Sequence, residues 1–297
     1  MPKTPVLAVI ALTGCVGAAT LHRLAMEHNV SGVALLAEGR LDEARAAFRL
    51  ALEYNPDFSE PWNNLGIAAM REGDENAAFD FFTRALRLNP DFAEARSNLG
   101  VLLLRSGKID LACQAFEDAL AVDPGYVPAR LNLALALIEK GDGARARDPL
   151  LRVLEVEPGI AAAHVALGIL YIEDGDLVRA EERALEAVQL DPDGAAGWLL
   201  LARVHLACGR EDKAREALAE TDVRAPGSEI WLELGLAHLA AGQPERARFY
   251  LAMLLEKEPA RCEAIEAMSL ALEALGEPAG EGADAPGCDS PASKTDL

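Results

Sequence analysis

Apolar, small and helix-breaking residues return along most of the chain in one fixed order. Seven glycines are spaced by 34 residues five times and then by 33, and an alanine and a proline follow each glycine at constant distances. A sequence period of this length predicts an array of repeated structural units. The glycines are Gly39, Gly73, Gly107, Gly141, Gly175, Gly209 and Gly242, the alanines Ala44, Ala78, Ala112, Ala146, Ala180, Ala214 and Ala247, and the prolines Pro56, Pro90, Pro124, Pro158, Pro192, Pro226 and Pro259.

Each repeated column has a role in a unit of two helices joined by a turn. Glycine accepts the left-handed backbone conformation with which a first helix ends, and alanine allows the two helices to approach closely. Proline stops the second helix before the next unit begins. Large residues keep the same spacing: all three tryptophans, Trp62, Trp198 and Trp231, occupy the fourth position of their units. Because aromatic residues are only 5% of the chain while helix formers are abundant, we predict an all-α protein.

The segment that begins at Trp62, WNNLGIAAMREGDENAAFDFFTRALRLNP, resembles the tetratricopeptide repeat. The resemblance covers residues 25–261 and implies a right-handed α-solenoid of seven helix-turn-helix repeats, each burying its apolar face against its neighbours. The amphipathic segment 262–275 is expected to form a capping helix, and residues 276–297 a disordered acidic tail. The predicted repeats are 25–58, 59–92, 93–126, 127–160, 161–194, 195–227 and 228–261.

Two features depart from the regular repeat. Repeat six lacks one residue, and Pro149 falls in the second helix of repeat four. We expect Pro149 near the start of that helix, where a missing N–H group is tolerated. It therefore predicts a modest bend rather than a break.

The first residues predict a targeting signal. A short apolar run follows Lys3 and ends in Leu12-Thr13-Gly14-Cys15, which resembles the bacterial lipobox. The resemblance implies that residues 1–14 are a lipoprotein signal peptide, that Cys15 is lipidated, and that residues 15–24 are a linker. Val16 after the cysteine favours the outer membrane in that family. Two alternatives stay open: an uncleaved membrane anchor, because about 18 uncharged residues approach the length of a spanning helix, and a buried or disordered cytosolic N-terminus.

Charge and motif content exclude several classes of function. The net charge of −20 and the pI of about 4.6 argue against nucleic-acid binding, because the field repels phosphate. The sequence has no phosphate loop, nucleophile elbow, HExxH zinc-protease motif or dinucleotide fingerprint, so we expect no enzyme activity, no cofactor and no small-molecule substrate. The five cysteines have no metal-ligand spacing, so no metal is expected, while a Cys262–Cys288 disulfide is left open.

The candidate binding site is the face of each first helix that tetratricopeptide proteins turn toward a concave groove. Repeat positions 2, 5, 6, 9, 12 and 13 form this stripe because they are three or four residues apart. In related proteins asparagines here hold the backbone of an extended peptide, since one amide can both donate and accept. Alternatively, the asparagines bond only within their own repeat. The candidate residues are Asn63, Asn64, Asn98, Asn132, Arg71 and Arg105, followed in repeats five to seven by the apolar Val165, Ile169, Leu199 and Leu232, with Ile172, Leu206 and Leu236 on the same stripe.

These features together favour a non-enzymatic scaffold. The expected function is that of a tetratricopeptide lipoprotein which faces the periplasm, binds a partner protein or extended peptide in its groove, and helps assemble an envelope complex. The layout is similar to that of the pilotin-type lipoproteins of pilus systems, although seven regular repeats differ from the six of pilotins. The alternatives are a cytosolic adaptor that binds a chaperone or enzyme terminus, and an accessory regulator of an enzyme that uses the same groove.

Overall fold

The computed structural model describes residues 6–224, 231–259 and 261–277, with side chains from residue 20 onward except those of 211, 215, 222 and 233. This part of the chain contains fifteen helices and no strand. The chain divides into two compact units, Met1–Leu151 and Arg152–Leu297.

In the N-terminal unit, successive helices pack as pairs: α1 with α2, α3 with α4, and α5 with α6. Neighbouring first helices also touch, α1 with α3, α3 with α5 and α5 with α7, so the pairs stack in chain order. The helices are α1 Val6–Ala37, α2 Leu41–Tyr54, α3 Ser59–Glu72, α4 Glu75–Leu88, α5 Ala93–Arg105, α6 Ile109–Val122, α7 Val127–Glu139 and α8 Gly143–Val156, the last of which continues into the second unit.

In the C-terminal unit the same pairing recurs, with α9 on α10, α11 on α12 and α13 on α14. Helix α15 packs against both α14 and α13, as expected of a capping helix. The fifteen described helices match the predicted all-α fold of seven helix-turn-helix repeats and a C-terminal cap, which is therefore confirmed. The helices are α9 Ala161–Glu173, α10 Leu177–Leu190, α11 Ala195–Ala207, α12 Glu211–Arg224, α13 Trp231–Ala240, α14 Pro244–Lys257 and α15 Cys262–Leu275.

The glycine that ends each first helix has the predicted left-handed conformation. The φ angles of the seven repeat glycines lie between 67° and 82°, and Gly276 after the capping helix has 72°. At Gly73, the following N–H of Asp74 donates to the carbonyl of Ala69 at 2.9 Å, which closes the helix end. An L-residue with a side chain is strained at such a φ, so these positions favour glycine.

Close approach between the two helices of a repeat explains the alanine column. All seven alanines are fully buried at 0% exposure. Glycines at the eighth position bring the helices together as well: a Cβ atom on Gly66 would lie 2.5 Å from the ring of Phe82. Gly32 faces Phe48 and Gly100 faces Phe116 in the same way. In these three repeats, the contact between the two helices is therefore made by a glycine and a phenylalanine that recur at the same repeat positions.

Pro149 differs from the expectation in its place along α8. It is the seventh residue of a helix that begins at Gly143, so it lies in the helix interior rather than near the start. The helix nevertheless continues to Val156 and is not broken. The ring removes the one N–H that would have bonded to the carbonyl four residues earlier.

The chain ends extend beyond what the structure describes. Residues 20–24, part of the predicted linker, are helical and continuous with the first helix of repeat one. The side chain of Cys15, Cys288 and the tail from residue 278 lie outside the described residues. Among the helices that are described, none is long and apolar enough to cross a membrane.

Candidate functional site

The predicted site residues lie on the first helices of both units. Helices α3, α5 and α7 carry the asparagines and arginines in the N-terminal unit, and α9, α11 and α13 carry the apolar residues in the C-terminal unit. Within each unit the first helices of neighbouring repeats are in contact, so their stripes form a continuous surface.

The asparagines form hydrogen bonds between neighbouring repeats rather than within one repeat. The side-chain amide of Asn64 donates to the side-chain oxygen of Asn29 at 2.9 Å, and Asn98 donates to Asn63 at 2.9 Å. Asn63 in turn donates to a carboxylate oxygen of Glu94 at 3.2 Å. These bonds connect α1 to α3 and α3 to α5, so the asparagine pairs help fix the spacing of the repeats.

Burial separates the asparagines into two groups. Asn63 and Asn64 are 1% and 9% exposed, and the amide of Asn63 is occupied on both its oxygen and its nitrogen. Asn98 and Asn132 are half-buried. Asn132 makes no side-chain hydrogen bond to any described residue, so its amide is the most available to a partner.

The two arginines also have different surroundings. Arg71 donates to the backbone carbonyl of Leu36 at 2.6 Å, in the last turn of α1, where a cation also complements the helix dipole. Arg105 is exposed and contacts no carboxylate or carbonyl within the described part of the chain. The guanidinium of Arg105 is therefore open to a ligand.

The apolar stripe of the C-terminal unit is partly core and partly surface. Leu199 is only 4% exposed, whereas Val165, Ile169 and Leu232 are half-buried. Farther along the same helices lies an open groove of about 470 Å³. Its lining residues come from three successive first helices: Ile172 from α9, Arg203 and Leu206 from α11, and Leu236, Ala237 and Ala240 from α13.

Sequence reasoning missed Arg203 and the two alanines of this groove. The signal was present, because position nine is aliphatic in every other repeat and arginine only in repeat six. A single departure from a regular column is where a functional residue is expected. The aliphatic residues of this column are Val33, Ile67, Val101, Leu135, Ile169 and Leu236.

A second missed feature is a hydrogen bond that holds the turn between repeats. The side chain at position four donates to the carbonyl of the proline six residues earlier in five repeats. Three kinds of side chain do this, and all carry an N–H donor, which the sequence could have revealed. The pairs are Trp62 with Pro56, Arg96 with Pro90, Arg130 with Pro124, His164 with Pro158, and Trp198 with Pro192.

The histidines at position eleven are buried, as packing residues would be. His238 is 0% exposed, bonds to Gln243 at 2.9 Å and stacks on Tyr250. His205 is 6% exposed, and its Nδ1 has no hydrogen-bond partner among the described residues. Burial lowers the pKa of His205, and the nearby Arg210 lowers that pKa further, although Glu181 opposes the shift from 3.9 Å.

The arrangement provides contact surfaces on the first helices. Within the described residues, no three His, Cys, Asp or Glu side chains come together as metal ligands would. The lowered pKa of Glu181 arises from two hydrogen bonds donated by Arg210, both at 2.8 Å, which form a structural ion pair. The site therefore offers polar and apolar contact surfaces on stacked first helices.

Helix pairs that stack in chain order define a class of repeat arrays whose extended surfaces bind other proteins. Family models described as tetratricopeptide repeat match residues 30–91, 81–114, 103–167, 171–231 and 229–260. The chain belongs to the tetratricopeptide repeat family. Among curated protein sequences, none matches the chain significantly.

Solved structures share the fold at low sequence identity. A chain of the APC/C hetero-tetramer Cut9–Hcn1 has a TM-score of 0.69 and 18% identity over 82% of this chain and 48% of that one, so this chain spans about half of its length. PilF of Pseudomonas aeruginosa has a TM-score of 0.64 and 20% identity over 72% and 96% of the two chains. PilW, a widely conserved type IV pilus biogenesis factor, has a TM-score of 0.60 and 25% identity over 74% and 97%.

Proposed function

We propose that this protein is a membrane-anchored scaffold of the bacterial envelope. A lipid on Cys15 holds it at the outer membrane facing the periplasm, and its first helices bind a partner protein or extended peptide. Through that contact it helps assemble an envelope complex such as a pilus or secretion machine. It has no enzymatic step of its own.

The observation that carries the binding role is the pair Arg105 and Asn132. Both lie on first helices of the N-terminal unit, α5 and α7, which are in contact. Neither side chain forms a hydrogen bond or an ion pair with another described residue. A half-buried amide and an exposed guanidinium without internal partners can bond to a ligand with little rearrangement, which favours binding.

Support for the envelope role comes from the sequence and from similarity. The lipobox-like Leu12-Thr13-Gly14-Cys15 follows a short apolar run, as in a lipoprotein signal. PilW, to which this chain is similar over nearly all of PilW's length, takes part in pilus biogenesis. A repeat array that offers contact surfaces on its first helices fits such an assembly role.

The binding role is tested by capture of partners from detergent-solubilised membranes, followed by mass spectrometry. The variant Arg105→Glu with Asn132→Ala should lose the proteins that the unmodified chain captures, and the loss should be larger at low salt, because exposed charges are screened. Arg49→Glu is the matched control for the charge reversal, because Arg49 is exposed on α2 and forms no hydrogen bond or ion pair with other described residues. Asn63 and Asn64 are left intact, since their bonds connect repeats. Unchanged capture by the double variant would contradict the proposed groove.

A further inference from the structure

A pocket of about 410 Å³ lies in repeat six and is lined by both helices of that repeat. Helix α11 contributes Trp198, Leu201 and His205, and α12 contributes Ala217 together with three charged side chains. Leu201, His205 and Ala217 are only 7%, 6% and 3% exposed, whereas the charged side chains are exposed. The pocket therefore has a buried wall and a charged edge. The charged side chains are those of Lys213, Glu216 and Glu220.

The residue at repeat position 23 explains why this space is open. In repeat two that residue is Phe81, and its ring centroid lies 5.9 Å from the ring centroid of Trp62 at position four. Repeat six also has a tryptophan at position four, Trp198, but its residue at position 23 is Ala217. A methyl group cannot cover an indole as a phenyl ring does, so Trp198 lacks the aromatic neighbour of its counterpart.

Repeat seven provides the same comparison for the histidine at position eleven. There Tyr250, at position 23, stacks on His238 with ring centroids 5.7 Å apart and an angle of 3° between the rings. The Nδ1 atom of His238 bonds to Gln243 at position sixteen. His205 is the counterpart in repeat six, where position 23 is an alanine and position sixteen is an arginine that bonds to Glu181. His205 therefore has no ring from position 23, and its Nδ1 has no hydrogen-bond partner among the described residues.

We propose that this pocket binds a tyrosine side chain of a partner protein. The phenol ring packs beside Trp198 and stacks on His205, in the space that the chain's own aromatic residue fills in repeat seven. Tyrosine suits a pocket with an apolar wall and a charged edge, because its ring is apolar and its hydroxyl both donates and accepts hydrogen bonds. A single missing side chain leaves this space, so the ligand is one side chain rather than an extended segment. The inference goes beyond the proposed function, because it adds a contact made by α11 and α12.

The test measures nuclear magnetic resonance signals of the full-length chain in detergent, with isotope-labelled histidine. The ring signal of His205 is identified by its loss in His205→Leu. The probe is the peptide Gly-Gly-Tyr-Gly-Gly, and Gly-Gly-Leu-Gly-Gly is its matched control. We expect the tyrosine peptide to shift the His205 signal saturably, with a Kd on the order of 1 mM for a single buried ring, and the leucine peptide to leave it in place. Nuclear Overhauser contacts between the tyrosine ring and His205 give a second measurement that needs no substitution.

Filling the pocket from within provides an independent readout. Ala217→Tyr places a ring where repeat seven has one, so it should shift the His205 signal without any peptide and weaken the tyrosine peptide by about tenfold or more. Ala115→Tyr is the matched control, because it introduces the same ring at position 23 of repeat three, and it should leave peptide binding unchanged. Circular dichroism verifies that each variant is folded, and the contacts measured on the unmodified chain decide the question if Ala217→Tyr is not.

Several outcomes would overturn the tyrosine site. A His205 signal that the tyrosine peptide leaves in place, or that the leucine peptide shifts equally, excludes selective binding of a phenol ring. Binding of p-cresol without binding of the tyrosine peptide would assign the pocket to a free phenol instead of a partner protein. A folded Ala217→Tyr variant that binds the peptide as well as the unmodified chain would place the peptide elsewhere. None of these results decides the scaffold function, which is tested by partner capture with the Arg105 and Asn132 variant.

Discussion

The glycine at the eighth repeat position and the large residue that faces it depend on each other. At Gly66, an added Cβ would lie 2.5 Å from the ring of Phe82, which is 0% exposed. Helix propensity alone would favour alanine over glycine by about 1 kcal/mol. Steric overlap with this buried ring is expected to outweigh that gain, because overpacking costs about 1–3 kcal/mol.

We therefore expect Gly66→Ala to destabilise the protein in chemical denaturation followed by circular dichroism. In a chain that already carries Phe82→Leu, Gly66→Ala should leave the free energy of unfolding unchanged or raise it, since the smaller leucine side chain leaves room for the methyl group. This double-mutant cycle isolates the contact from helix propensity. A Gly66→Ala variant that is more stable than the unmodified chain would show that the ring can move.

His205 makes the stability of the fold depend on pH. Its folded-state pKa is lowered, first by burial and then by Arg210 and Lys213, against the opposing charges of Glu181 and Glu216. The unfolded chain therefore binds the proton more tightly than the folded chain, and stability rises with pH. The contribution is complete above the ordinary histidine pKa of about 6.5 and is lost as the pH falls below it toward the folded-state value.

The variant His205→Leu should remove this dependence. Leucine occupies the same repeat position at Leu103, and it eliminates the buried Nδ1 that lacks a partner. We expect the urea midpoint of the variant to fall less than that of the unmodified chain between about pH 7 and about pH 5.5. His238→Leu is the contrasting variant, because it would leave Gln243 without its bond and lower stability at both pH values. An equal pH response in His205→Leu would assign the dependence to other groups.

Among the helices, features that depend on local backbone could be predicted and features that join repeats could not. The left-handed glycines and buried alanines followed from the period, because each acts at one turn or one helix crossing. The bonds Asn64 to Asn29 and Asn98 to Asn63 connect residues 35 positions apart, one repeat plus one residue. A column of identical asparagines does not reveal that partner, since the sequence gives positions along one helix but not the offset between neighbours.

The groove of the C-terminal unit likewise combines features that the sequence predicts with features that depend on packing between repeats. The apolar stripe of repeats five to seven could be identified from helical spacing, but the burial of Leu199 depends on how α11 packs against α9 and α12. Arg203 was visible as a departure from an aliphatic column, although only the structure places it beside Ala237 and Ala240. The candidate surface was therefore predictable in outline, whereas the residues open to a ligand required coordinates.

For the whole molecule, the N-terminal helix determines how closely an anchor would hold the array. Helix α1 continues without interruption into repeat one, and His22 packs against Phe58 in the turn between α2 and α3. At about 1.5 Å per helical residue, Ala25 lies about 15 Å from Cys15 along the helix. A lipid on Cys15 would therefore keep the first repeat near the membrane surface.

Replacement of this cysteine tests the anchor directly. Cys15→Ala should abolish incorporation of labelled palmitate and release the protein from the membrane fraction, because no thiol remains to accept the lipid. Several acyl chains anchor durably, at about 0.8 kcal/mol for each buried CH₂ group, so their loss should shift nearly all of the protein. Circular dichroism should show unchanged helicity, since the repeats bury their cores without residue 15. Palmitate labelling that survives Cys15→Ala would overturn the lipoprotein assignment, and an unlabelled, cytosolic chain would instead favour the adaptor alternative.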